Sequence, residues 1–184
     1  AQQGAAQVVA CDISSRMLEA AREKNAHPAV EYRQVAFEDA DFPEGSFDLV
    51  LSSLMLHYLA SYDDFLDRAR RWLRPGGTLL YTVEHPIFTA QGPQDWCYGP
   101  DGEIRHFPVD RYFAEGARDA VFLGEHVVKY HRTLTTYLDG LSRHGFRLER
   151  VVEPQPTPEM VRDVPGMADE LRRPMMLIVR AERL

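Results

Sequence analysis

Long apolar runs are missing from this 184-residue sequence: no stretch approaches about 18 consecutive apolar residues, which excludes a membrane-spanning helix. Cysteine is scarce. Cys11 lies in an apolar, strand-like run and Cys97 in a loop-like segment, so a structural bridge is not expected and a reducing, cytoplasmic compartment is. An excess of basic charge is absent. The 21 Lys and Arg stand against 28 Asp and Glu, a net charge of -7, and a partner bound by bulk electrostatics, such as DNA or RNA, is not expected. The seven histidines offer no pair at ligand spacing with a third partner, so no metal is expected either. A glycine-rich phosphate loop is missing too, because only Gly4 stands in the eleven residues before Asp12, and the chain begins with Ala1 rather than Met.

What is present is ordinary globular composition, 45% hydrophobic and 27% charged, in a length that suits one compact domain over 1–184. Val8 to Cys11 is an apolar run ending at Asp12, the pattern of a strand buried on both faces. Ser14 or Ser15 can cap a following helix whose stripe is Met17, Leu18 and Ala21. Tyr32 to Val35 and Phe47 to Leu51 read as strands. Tyr62, Phe65, Leu66, Ala69, Trp72 and Leu73 then give a helix face at periods of three and four, with Ser61 as cap. Arg74-Pro75-Gly76-Gly77 is expected to end that helix, and Thr78 to Val83 to return as a strand. This alternation predicts crossover units and a doubly wound, mainly parallel α/β sheet of Rossmann-like type, with helices on both faces.

From about His85 to Val128 the rhythm breaks. The segment is rich in Gly, Pro and aromatics without clean periodicity, which predicts a lid or binding insertion. His131 is expected to begin the helix that follows, with Leu134, Tyr137, Leu138 and Leu141 on one face; Phe146 to Val152 and Met175 to Ala181 read as closing strands.

An acid at the end of a strand in a doubly wound sheet is placed to accept from the ribose hydroxyls of an adenosine-containing cofactor, and Asp12 occupies that place. His85 follows the strand at the carboxyl edge, where such sheets set their sites, and it and His131 are candidate bases. Trp96, Tyr98, Tyr112 and Phe113 are candidates for an apolar acceptor pocket, or for anchoring the insertion to the body.

The run from Gly4 through Asp12 to Arg22 resembles the segment after the glycine motif of class I S-adenosylmethionine-dependent methyltransferases. Phe42-Pro43-Glu44-Gly45-Ser46-Phe47-Asp48-Leu49-Val50, Ser52-Ser53-Leu54-Met55-Leu56-His57-Tyr58-Leu59 and Leu73-Arg74-Pro75-Gly76-Gly77-Thr78-Leu79 are similar to the family's later motifs, in its order. The resemblance runs through about Glu84 and resumes from His131 to Phe146. It implies S-adenosylmethionine as cofactor, S-adenosylhomocysteine as product, and an antiparallel last strand. It further implies Asp12 on the ribose, Ile13 and Met17 on the adenine, Ala36 where the family carries an acid, Phe37 packing beside it, Glu38 or Asp39 as substitute acceptor, and Ser52 and Ser53 bordering the methionine end. The family's first strand and glycine loop have no counterpart here, so the complete chain is expected to be longer by at least roughly 20 to 30 residues. The expected acceptor is a small molecule under the insertion. The alternatives are a nicotinamide-dependent oxidoreductase, which shares only the acid after the second strand, and a binding module without the glycine loop.

Overall fold

The computed structural model describes residues 1–122 and 124–184, which form two compact units, Ala1–Phe42 and Pro43–Leu184. The first unit is a crossover of strand β1 (Val8–Asp12), helix α1 (Ser15–Asn25) and strand β2 (Val30–Gln34). The strands are parallel, with Val8 opposite Val30 and Asp12 opposite Gln34. Ser14, not Ser15, is the cap: its hydroxyl accepts from the Met17 N–H at 3.3 Å, satisfying a donor that the first helical turn leaves free. Leu18 is buried, and the Tyr32 hydroxyl lies within reach of the Ala21 and Asn25 carbonyls, fastening β2 to α1. A short 3-10 turn, Phe37–Asp39, follows.

The second unit opens with strand β3 (Phe47–Ser53), a 3-10 turn (Leu56–Tyr58), helix α2 (Tyr62–Trp72) and strand β4 (Leu73–Glu84). It closes with helix α4 (Leu134–Arg143), strand β9 (Phe146–Val152), helix α5 (Pro158–Asp163) and strand β10 (Met176–Arg183). Its sheet runs β3-β4-β10-β9, with β3 and β4 parallel and β10 antiparallel to both its neighbours. Alternate residues of β4 and β10, namely Leu79, Tyr81, Val83, Leu177, Val179 and Ala181, form the buried face. The apolar stripe of α2 meets it, and the Tyr62 hydroxyl bonds both the Tyr81 hydroxyl and the Tyr137 carbonyl at 2.9 Å. A Cβ at Gly140 would come 3.0 Å from the Tyr62 ring, so α2 and α4 lie as close as that ring allows.

Two expected boundaries shift. Helix α2 stops at Trp72, and Arg74-Pro75-Gly76-Gly77 lies inside β4 as an irregularity, Phe47 pairing with Leu73 and Leu49 already with Thr78. His131 is the last residue of a strand, not the first of a helix; Thr133 caps α4, its hydroxyl accepting from Thr136 N–H. The aperiodic segment contains helix α3 (Pro86–Thr89), a small ladder of β5 (Cys97–Tyr98) and β6 (Ile104–His106), and a hairpin of β7 (Gly116–Phe122) and β8 (Glu125–His131). The hairpin does alternate, but its buried positions hold Arg118, Ala120, Lys129 and His131 while Val121, Phe122 and Val128 are exposed. A search for apolar alternation sees that pattern inverted, which is why it reads as noise.

Candidate functional site

In the first unit, β1 delivers Asp12 to its carboxyl end, and the next turn fixes the side chain: Oδ1 accepts the Ser14 N–H at 2.8 Å. Oδ2 has no hydrogen bond among the described residues. Beside it, Ile13 and Met17 are 70% and 59% exposed, an apolar pair that the unit does not cover. A carboxylate with a spare oxygen next to an uncovered apolar shelf fits a ribose carrying a flat aromatic base. Ala36 accepts from Asp39 and Ala40 at the start of the 3-10 turn, Phe37 is half-buried, and Glu38 and Asp39 are exposed. The carboxylate of Glu38 is therefore open to solvent and to a ligand.

In the second unit, parallel pairing of β3 with β4 brings both carboxyl ends to one edge. Ser52 is buried there with an Oγ that has no hydrogen-bond partner among the described residues, while Ser53 is exposed and receives the Thr82 hydroxyl at 3.4 Å. Leu54 follows in the left-handed region at φ 52°, its N–H held by the Thr82 carbonyl at 2.9 Å. Backbone strain of this kind in a non-glycine residue persists only where surroundings enforce it.

His85 caps α3: Nδ1 accepts the Ile87 N–H at 3.1 Å, and Nε2 lies 2.9 Å from a Glu153 carboxylate oxygen. His131 is fully buried, with Nε2 2.8 Å from the Tyr112 carbonyl and Nδ1 2.8 Å from the Thr89 hydroxyl. A carbonyl only accepts, so the proton of His131 sits on Nε2 and Nδ1 receives the hydroxyl. Burial pushes both imidazoles below the ordinary histidine range, against the pull of Glu153 on one and of the Tyr112 carbonyl on the other. Both nitrogens of His131 are thus engaged, whereas Nε2 of His85 is near Glu153 without a formed hydrogen bond among the described residues.

The aromatic candidates separate. Trp96 stands edge-on to Phe107 at 5.4 Å under the guanidinium groups of Arg172 and Arg173. Tyr98 is half-exposed, its hydroxyl 3.4 Å from Asp95. Tyr112 works elsewhere: its hydroxyl accepts the Leu134 N–H at the start of α4, and its ring lies edge-on to His131.

A buried ionic cluster at the end of β4 escaped sequence reasoning. Lys129 Nζ donates to Glu84 at 2.6 Å and to Gln94 at 2.8 Å, and Gln94 donates back to the other Glu84 oxygen at 2.8 Å. His57 receives the Glu84 N–H on Nδ1 at 3.4 Å, and the rings of Tyr58 and Phe122 flank the ammonium. The signal available was a glutamate directly after the apolar end of a strand, at Val83.

The methyltransferase domain family matches residues 1–81. N-demethylindolmycin N-methyltransferase of Streptomyces griseus is 30% identical over 182 residues, 94% of this chain and 70% of that protein. Among solved structures, an S-adenosylmethionine-dependent methyltransferase from Mesorhizobium loti is 38% identical with a TM-score of 0.88, covering 99% of this chain and 82% of its own. A candidate S-adenosylmethionine-dependent methyltransferase from Listeria monocytogenes is 47% identical with a TM-score of 0.94, covering 100% and 82%. The expected Rossmann-like α/β fold is the fold of these structures.

Proposed function

Because the chain belongs to the S-adenosylmethionine-dependent methyltransferases and is an enzyme that transfers a methyl group from that cofactor, we propose that its acceptor is a small molecule bound under the segment from His85 to Val128. The observation that carries this is the carboxyl end of β4, where the chain turns through His85 into a segment lined with aromatic rings and buried polar groups. The N-methyltransferase relative, named for the small molecule it methylates, supports the same reading. An oxidoreductase is not favoured. The acidic net charge gives no reason to expect a nucleic-acid acceptor. Exposed, unbridged Cys11 and Cys97 accord with the cytoplasm.

In this reading the spare Asp12 oxygen accepts from the ribose hydroxyls, Ile13 and Met17 hold the adenine, Phe37 packs beside it, and Glu38 or the Ala36 backbone meets its polar edge. In the second unit the backbone at Ser52 and Ser53 borders the methionine end. When bound, the cofactor supplies an electrophilic methyl group on a sulfonium, which needs an aligned nucleophile and exclusion of water. His85 and His131 then serve by position. His131 keeps its Nε2 proton directed at the Tyr112 carbonyl and fixes the end of the hairpin, while His85, with Nε2 2.9 Å from Glu153, caps α3 at the start of the insertion.

Calorimetric titration of the whole protein with S-adenosylhomocysteine tests the cofactor residues. Saturable binding is expected, weakened by about 1–3 kcal/mol in Asp12→Ala, the range for losing a bond to a charged group; unchanged affinity removes Asp12 from the site. Labelled methyl appearing in tRNA or protein rather than in a small-molecule pool would overturn the acceptor reading.

A further inference from the structure

β3 and β4 run parallel, so the turn that leaves β3 and the last residue of β4 stand at one carboxyl edge, where open α/β sheets receive their ligands. Tyr58 ends that turn and Glu84 ends that strand. Two nearby residues hold a left-handed backbone without being glycine: Leu54, between β3 and the turn, at φ 52°, and Gln94, bonded to Glu84, at φ 55°. Such strain costs about 1–3 kcal/mol and gathers at ligand-binding positions.

The polar groups around Glu84 satisfy one another. Its two oxygens take Lys129 Nζ and Gln94 Nε2, Gln94 Oε1 takes the same ammonium, and its N–H is received by His57, whose ring lies 4.5 Å from that of Tyr58. Buried bonds of this kind hold one arrangement. What they hold up to the edge are two aromatic rings, with Tyr58 at 6.0 Å and Phe122 at 5.3 Å from the ammonium. Lys129 is 2% exposed, whereas Tyr58 is 38% and Phe122 49% exposed, so the ring surface that solvent reaches is not the surface turned to the ammonium. The Tyr58 hydroxyl makes no hydrogen bond among the described residues. Burial, and after it the Glu84 carboxylate, raise its pKa above the ordinary tyrosine value, so it keeps its proton and is a donor.

We propose that Tyr58 is a specificity-determining residue that contacts the methyl acceptor, its ring and that of Phe122 taking a flat aromatic body and its hydroxyl donating to an oxygen or ring nitrogen on that body. The assignment rests on the small-molecule reading above. Lys129, Glu84 and Gln94 are positioning residues, which hold the two rings and do not meet the acceptor. An uncharged acceptor is favoured, since Lys129 and Glu84 balance each other behind the rings.

Fluorine NMR of 6-fluoroquinoline added to the whole protein saturated with S-adenosylhomocysteine tests this. Saturable binding is expected, with a nuclear Overhauser effect from the probe to the methylene protons beside the cofactor's sulfur. Tyr58→Phe, which removes only the hydroxyl, should weaken 6-fluoroquinoline several-fold and leave 2-fluoronaphthalene, which has no ring nitrogen, unchanged. Tyr58→Ala should weaken both probes. The paired variant Lys129→Met, Glu84→Gln should also weaken both while its stability in urea stays close to the parent's, a split that a merely structural role would not give. Undiminished quinoline binding in Tyr58→Phe, equal losses of the two probes there, or binding without the Overhauser effect overturns the contact; undiminished binding in the paired variant overturns the positioning role. A protein that binds S-adenosylhomocysteine but neither probe also overturns the contact, leaving the small-molecule reading standing; methyl transfer to tRNA or protein overturns that reading instead.

Discussion

The layer formed by α2, α4 and the sheet is held together differently from the hairpin of β7 and β8. In the layer, Leu66, Ala69, Leu79, Leu141, Leu177 and Val179 have no exposed surface, and the stabilisation is apolar burial, which has no direction and tolerates repacking. In the hairpin the inward residues other than Ala120 are charged or polar, and each of these is bound to a particular partner. Arg118 donates from Nε to the Ala90 carbonyl at 3.0 Å and from its other nitrogens to the carbonyls of Gly116, Ala117, Arg111 and Ala114. Lys129 is committed to Glu84 and Gln94, and His131 to Thr89 and Tyr112. Directional bonds in a low-dielectric setting fix one arrangement where apolar packing would permit several. The hairpin is thereby held to α3, β4 and the turn at Tyr112 by specific bonds.

The largest break in this comparison comes from Lys129→Ala. Removing the ammonium leaves the Glu84 carboxylate buried without its charge partner, at a cost of about 3–5 kcal/mol. A Leu141→Ala cavity in the layer is the yardstick at about 2–5 kcal/mol. The double variant Lys129→Met, Glu84→Gln removes both charges and keeps volume, and is expected to be close to neutral in urea unfolding. A double variant as unstable as Lys129→Ala would mean that the pair contributes by attraction rather than by avoiding a lone charge.

Next in size is a pH effect from His57, which lies beneath the same cluster with Nε2 3.9 Å from Glu84. Burial is the main cause of its pKa falling to about 4; Lys129 and Arg132 push the same way and Glu84 opposes them. The unfolded chain takes up this proton near pH 6.5 and the folded chain refuses it until about 4. Stability is therefore fully present above about pH 6.5 and is lost as the pH falls through that window, by up to about 3 kcal/mol from this group. Unfolding measured at pH 7 and pH 4.5 should show a smaller loss in His57→Gln than in the parent. Equal losses would assign the acid sensitivity to His85 and His131, whose pKa values are lowered as well.

What the sequence reveals follows the same division. Ser61 as the cap of α2, the α2 stripe and the bounds of β9 are legible because cap chemistry and apolar period are local signals. Asp12 stands out because its place at a strand end is itself the signal. Lys129 and Arg173 are invisible, since a charged residue is read as exposed until its partner is known. Glu84 lies 45 positions from Lys129, and the rings about Arg173 come from Phe88, Trp96 and Phe107. Tyr112 reads either as a pocket aromatic or as an anchor of the insertion; its hydroxyl accepts from the first turn of α4, a partner that only the fold names.

The smallest expected effect decides whether burial or location in the insertion makes charges matter. Arg105 and Asp101 belong to the same segment as Lys129 and are paired at 2.5 Å, but each side chain is about half exposed, at 52% and 53%. Water already solvates both groups, and holding two long side chains in one geometry costs about what the attraction returns. Arg105→Ala also leaves untouched the Arg105 carbonyl, which accepts from Arg172. The expected cost is about 0.5 kcal/mol or less in urea unfolding, falling further in salt. A cost near that of Lys129→Ala would show that the whole insertion is electrostatically tuned; a negligible one, beside a large effect at Lys129, ties the difference to desolvation alone.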